Sequence, residues 1–203
     1  MLLRLIDDIN RALDNDAYLA ALSSALTLPD ICGKAKYPNA KNGRRYIDWY
    51  NEYIGQYEQS PCENCKDTQL PYLSGEVVYN LRNSLLHQGT PNIDSGRIND
   101  EVNRIDEFVL AIEKKNEFDI YVDASCVEES FFNGVSTGVR RKYRVNVRRL
   151  CLILTQAAKQ YYLGHKDQFD FFNYTVLDLD KEIEQMRRWK GELLNNDHNR
   201  KTL

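Results

Sequence analysis

The residues best suited to chemistry lie in one short run, Arg82-Asn83-Ser84-Leu85-Leu86-His87. Arginine carries a permanent cation whose planar fork pairs with phosphate in a bidentate way. Histidine titrates near neutrality and moves protons. On a helix, at about 100° per residue, Asn83 and His87 fall one turn apart on the same side. Arg82 is next to Asn83 and can reach round to the same edge. A cation, an amide and an imidazole that converge at a helix end suit phosphodiester cleavage without a metal, with a ribose 2′-OH as nucleophile. Arg82 then binds the scissile phosphate, His87 is the general base or acid, and Asn83 orients His87 or bonds phosphate.

Two other groups need weighing. Cys62-Glu63-Asn64-Cys65 has the spacing of half a zinc knuckle. The other half is missing, because Cys32, Cys126 and Cys151 stand alone and no second CxxC or HxxxH exists. Pro61 precedes the pair rather than separating it, and no βαβ pattern surrounds it, which argues against a redox motif. The expectation is a loop with two free thiols, no metal and no cofactor. The second group is basic: Arg140, Arg141, Lys142, Arg144, Arg148 and Arg149 put six cations in ten residues. On a strand, Arg140, Lys142 and Arg144 share one face, and Arg141, Tyr143, Val145 and Val147 the other. Such a strand either guides an RNA backbone, with Arg140, Arg141, Lys142 and Arg144 as the contacts, or is a charged edge that resists aggregation.

The element that must position the Arg82 set is a helix. Ser74 reads as its N-cap, and Glu76 puts negative charge in the first turn. Gly89 and Pro91 end it, the first by permitting a left-handed residue and the second by lacking an N–H. Val77, Val78, Leu81, Leu85 and Leu86 supply its apolar face.

This helix and its run resemble the HEPN superfamily, small α-helical domains whose ribonuclease members carry an Arg, often followed by a polar residue, and then a short spacer to a His. Here four residues separate Arg82 from His87. The resemblance covers roughly the first half of the chain. It implies a helical bundle that forms a homodimer, bringing two Arg/His sets into one RNA cleft, and metal-independent endoribonuclease activity of the kind found in defence or toxin systems. A cognate inhibitor protein is a further partner it implies. One known control of such proteins modifies a tyrosine two residues after the histidine, and that position here is Gly89. Two rival readings use the same residues. A non-catalytic HEPN-like module would bind nucleic acid or protein and cleave nothing. Plain helix capping would place Arg and His near the negative end of the dipole for stability alone.

The chain has 203 residues and a net charge of −3, so any RNA binding must use a local basic patch. No run of 18 apolar residues exists, and the N-terminus has a helical period rather than a signal peptide's apolar block. The expectation is a cytoplasmic protein. Helices are expected over residues 2–13 (Leu2, Leu5, Ile6, Ile9, Leu13), from about Ala17 to Leu28 with Pro29 ending the run, and from Gly43 to Tyr57. Residues 30–42 read as a loop or short helical turn whose Lys34, Lys36 and Lys41 flank Tyr37. A helix or extended segment follows around Glu101–Lys115. Phe118, Ile120 and Val122 alternate as one strand and Tyr143, Val145 and Val147 as another, pairing antiparallel across FFNGVSTG. A buried helix runs from Arg148 to Gly164 with His165 as a C-cap, and Leu179–Leu194 is a last amphipathic helix bearing Ile183, Met186, Trp189 and Leu193. The fold class expected is mainly α, a HEPN-like bundle over 1–115 with a small antiparallel β element and two helices over 116–203, packed on the bundle or continuous with it.

Overall fold

Hydrophobic periodicity builds most of the chain into helices, and the computed structural model describes them over residues 1–58, 70–114, 121–128, 139–174 and 176–200. Helix α1 (Leu2–Asp14) buries Leu2, Ile6, Ile9 and Leu13, the i, i+4, i+7 pattern of one helix stripe. Helix α2 (Tyr18–Ala25) buries Tyr18, Ala21, Leu22 and Ala25. Pro29 does not end a run that reaches Leu28. It sits in the first turn of a new helix, α3 (Leu28–Lys36), where a missing N–H costs nothing. Of the segment expected as a loop or short helical turn over 30–42, residues 30–36 belong to this helix.

Helix α4 (Asn42–Tyr50) continues through a π turn (Asn51–Gly55) into a last short turn, α5 (Gln56–Glu58). Helix α6 (Gly75–Gln88) carries the Arg82 run and lies on α4. The sheet has three strands in the order β1-β3-β2. Strand β2 (Val122–Glu128) pairs antiparallel with β3 (Val139–Asn146), Val122 opposite Val145. The expected antiparallel pair is thus present from Val122 onward, while Phe118, Ile120 and the FFNGVSTG stretch fall outside the described residues. The sheet is mixed rather than purely antiparallel, because β1 (Glu107–Ala111) runs parallel to β3, Phe108 opposite Tyr143. All five residues of β1 are half-buried, so its sequence EFVLA shows no alternation to mark it as a strand.

Helix α7 (Val147–Gly164) follows β3 directly, with Asn146 Oδ1 accepting the Arg149 N–H at 3.2 Å as its N-cap. It packs on α1, α2 and α3 and buries Leu150, Cys151, Leu154 and Ala158. The N-terminal helices, the sheet and α7 accordingly form one compact unit, Leu2–Phe171. Its core is strongly aromatic, with Tyr46, Trp49, Tyr50 and Tyr143 almost fully enclosed.

Residues 172–203 group separately, together with Met1, and hold α8 (Leu179–Arg200). This helix runs past the expected end at Leu194. Its Ile183, Met186 and Trp189 are exposed. No helix among the described residues is long and apolar enough to cross a membrane.

Candidate functional site

Helix α6 is fixed at both ends by side chains that the backbone needs. The first N–H groups of a helix have no partner within it. Ser74 Oγ accepts from the Val77 N–H at 3.3 Å, and Asn51 Oδ1 from the π turn accepts from the Gly75 N–H at 2.7 Å. Gly75 also has to be small: a Cβ there would stand 2.6 Å from the Ile47 carbonyl oxygen of α4. At the other end Gly89 takes φ 69°, the left-handed conformation in which its N–H returns to Leu85. Midway, the buried Asn80 clamps the following segment, with Nδ2 donating to the Asp94 carbonyl at 2.7 Å and Oδ1 accepting the Asp94 N–H at 3.2 Å. Sequence reading passed over Asn80. Its signal is a polar residue next to Leu81 and one turn from Val77 on the apolar face.

On this frame the three expected residues converge. An Arg82 terminal guanidinium nitrogen donates to Asn83 Oδ1 at 2.9 Å and lies 3.2 Å from His87 Nε2. Arginine has no acceptor, so a hydrogen bond in this pair needs Nε2 as its acceptor. Arg82 Nε is buried without a hydrogen-bond partner among the described residues, whereas His87 is exposed. The guanidinium thus runs from the protein interior to a wet rim. Its charge is felt at Tyr46, whose hydroxyl donates to the Leu26 carbonyl at 3.0 Å. Burial pushes the Tyr46 hydroxyl above its ordinary range, with the Arg82 charge acting in the opposite direction.

The basic strand is elsewhere. Strand β3 has β1, β2 and α7 as its main neighbours, and α6 has α4 and α2. Its faces divide as the alternation requires: Arg140, Lys142 and Arg144 are exposed, Tyr143 and Val145 buried. Arg141 is on the inner side with its Nε buried, and its backbone N–H donates to Asp106 at 2.7 Å. The outer cations are partly neutralised, since Glu107 on β1 reaches Lys142 at 2.7 Å and Arg140 at 3.4 Å. The Lys142 hydrogen bond holds the Glu107 carboxyl below its ordinary range.

Other sequence candidates take structural parts. Lys36 is held by Glu52 and Tyr53, and Lys34 sits 4.6 Å from the Phe171 ring centroid. His165 Nδ1 lies 2.9 Å from the Tyr161 carbonyl, closing α7 as a cap. Cys32 and Cys151 are free and buried, and burial pushes the Cys151 thiol up to about 12. Cys62 and Cys65 are outside the described residues.

A second feature was not legible in the sequence at all. A cavity of about 680 Å³ opens between the α4–α5 run, β2, β3 and α7. Glu58 lines it, and Tyr121 Oη donates to Glu58 Oε1 at 2.9 Å. Burial pushes the Glu58 carboxyl up to about 7, against the lowering effect of that hydrogen bond.

No family model, curated protein or solved structure matches this chain.

Proposed function

We propose that the protein is a HEPN-like endoribonuclease that cleaves RNA without a metal, through the ribose 2′-OH. The observation that carries this reading is the Arg82 guanidinium 3.2 Å from His87 Nε2, on an exposed helix end. A guanidinium held beside a neutral imidazole can do two things in sequence. It takes the scissile phosphate in its fork and stabilises the charge that develops there. Once phosphate occupies that fork, Nε2 is released to accept the 2′-OH proton. Asn83 holds the same guanidinium nitrogen and so helps set the distance between the two groups.

Cleavage also requires protonation of the leaving 5′-oxygen, and the contacts of Arg82 bring in one imidazole and one amide. A homodimer would supply the second set, with a two-fold axis placing each imidazole opposite the other. RNA would be gripped by the outer cations of β3, with Arg140, Lys142 and Arg144 presented to solvent. A cognate inhibitor protein fits the same reading, since an exposed Arg/His rim is easily covered.

The decisive experiment is cleavage of a labelled structured RNA in EDTA by wild type, Arg82→Ala and His87→Ala, each sized in solution. The expected result is cleavage by a dimeric wild type leaving 2′,3′-cyclic phosphate ends. Both variants should be slower by at least about 100-fold. Equal activity in all three, or none from a well-folded wild type, would sink the enzyme. The single imidazole in the Arg82 contacts would then favour the other reading, a helical module that binds RNA or protein without cutting.

A further inference from the structure

The cavity at Glu58 has a chemistry that the ribonuclease reading does not use. Five tyrosines line it: Tyr53, Tyr57, Tyr72, Tyr121 and Tyr143. Lys36 stands 4.7 Å from the Tyr53 ring centroid, and Phe108 stacks on Tyr143 with the ring centroids 6.4 Å apart. Tyr57 is 79% exposed and stands at the mouth. Tyr143 is 1% exposed and lies at the floor. Between the rings the wall is aliphatic, with Ile153 and Ala157 of α7.

Glu58 is the one carboxylic acid of this lining, and no Lys, Arg or His lines the cavity with it among the described residues. The groups that face Glu58 are hydroxyls: Tyr121 bonds it directly, and burial first and the Glu58 charge second raise the Tyr50 and Tyr143 hydroxyls. None of these can neutralise a carboxylate. An anion in a low-dielectric pocket is disfavoured without a counter-charge, and a cation brought to it gains what these described neighbours do not supply. Aromatic faces attract the same kind of guest, because their quadrupole presents negative charge to a cation. Phosphates and carboxylates are repelled on both counts. A volume of about 680 Å³ is within the ordinary range for drug-sized ligands.

We infer that this cavity is a binding site for a small organic ammonium compound, an amine with an aromatic or aliphatic body, held by Glu58 as counter-ion and by the surrounding tyrosine rings. The body fills the apolar wall of α7, and the ammonium lies between Glu58 Oε2 and the ring faces. Tyr121 keeps Glu58 Oε1 oriented without competing for the charge. The site is independent of Arg82 and His87.

The test is calorimetric titration of the full chain with tryptamine and with tryptophol, its neutral alcohol analogue, at pH 8 and pH 6. At pH 8 tryptamine should bind at least about tenfold more tightly than tryptophol. Because the carboxyl must lose its proton to pair with the ammonium, tryptamine affinity should fall about tenfold at pH 6, while tryptophol stays level. Proton release on tryptamine binding should be visible as a buffer-dependent heat at pH 6. Glu58→Gln should weaken the preference for tryptamine at pH 8 and remove its dependence on pH, and Tyr121→Phe should keep both. Equal or tighter binding of tryptophol, a tryptamine affinity unchanged by Glu58→Gln, or no binding of either compound at millimolar concentration would each overturn the site.

Discussion

The rim at His87 and the cavity at Glu58 each set one titratable side chain against one hydrogen-bond donor, yet they do so at opposite depths. At the rim the donor is a cation that begins inside the protein and ends in water, and His87 is exposed. In the cavity the donor is the neutral hydroxyl of Tyr121, and burial decides the state of Glu58. A rim group is governed by what arrives from solvent, whereas a cavity group is governed by the burial around it. The rim therefore suits a polyanion that lies across it, and the cavity a single compact cation.

The largest effect that sharpens this contrast is on stability. Glu58 has its carboxyl raised from 4.5 to about 7, so the native state keeps a proton that the unfolded chain releases between those values. This contribution is fully present below pH 4.5 and is lost as pH rises through about 7. The raised pKa corresponds to a loss of about 3 kcal/mol. Urea unfolding of Glu58→Gln should show that gain over wild type at pH 8 and almost none at pH 4.5. A gain of the same size at both values would mean that burial does not govern Glu58.

A smaller effect tests whether the two regions are mechanically joined. The α4–α5 run ends in Glu58, and α6 carries the rim, with Gly75 seated 2.6 Å (at its ideal Cβ) from the Ile47 carbonyl. Gly75→Ala should push the two elements apart and cost about 1–3 kcal/mol in denaturant unfolding. It should also weaken both RNA cleavage and tryptamine binding, although Gly75 belongs to neither site. Loss of one activity with the other intact would show that the regions move separately.

The smallest effect concerns the basic strand. Glu107→Gln frees Lys142 and Arg140 from surface ion pairs that solvent screens. Stability should hardly change. RNA affinity should rise, and its salt dependence should steepen, if the outer face of β3 grips the backbone. An unchanged salt slope would assign that face to edge protection.

How far these regions were legible follows the range of the contacts that make them. Helix α6 could be bounded from its own residues, since Ser74 and Gly89 act on backbone groups within a few positions. The Arg82–Asn83–His87 set was legible for the same reason, one helical turn bringing its members together. The two faces of β3 followed from a period of two.

What the chain could not show locally was decided by neighbours distant in sequence. Pro29 is compatible with ending a helix or beginning one, and only the packing of α3 on α4 selected the second. The apolar run of β1 suits a helix or a strand until β3 arrives to pair with it. The π turn sets Asn51 on the Gly75 N–H, a contact between residues 24 apart. The Glu58 site joins the end of the α4–α5 run to Tyr121, 63 residues away, and closes on α7. The sequence by itself determined which residues cap, alternate and face one side of a helix, because those properties depend on a single turn or pleat. Burial of a charge depends on everything folded around it, so only the tertiary structure could make Glu58 a site.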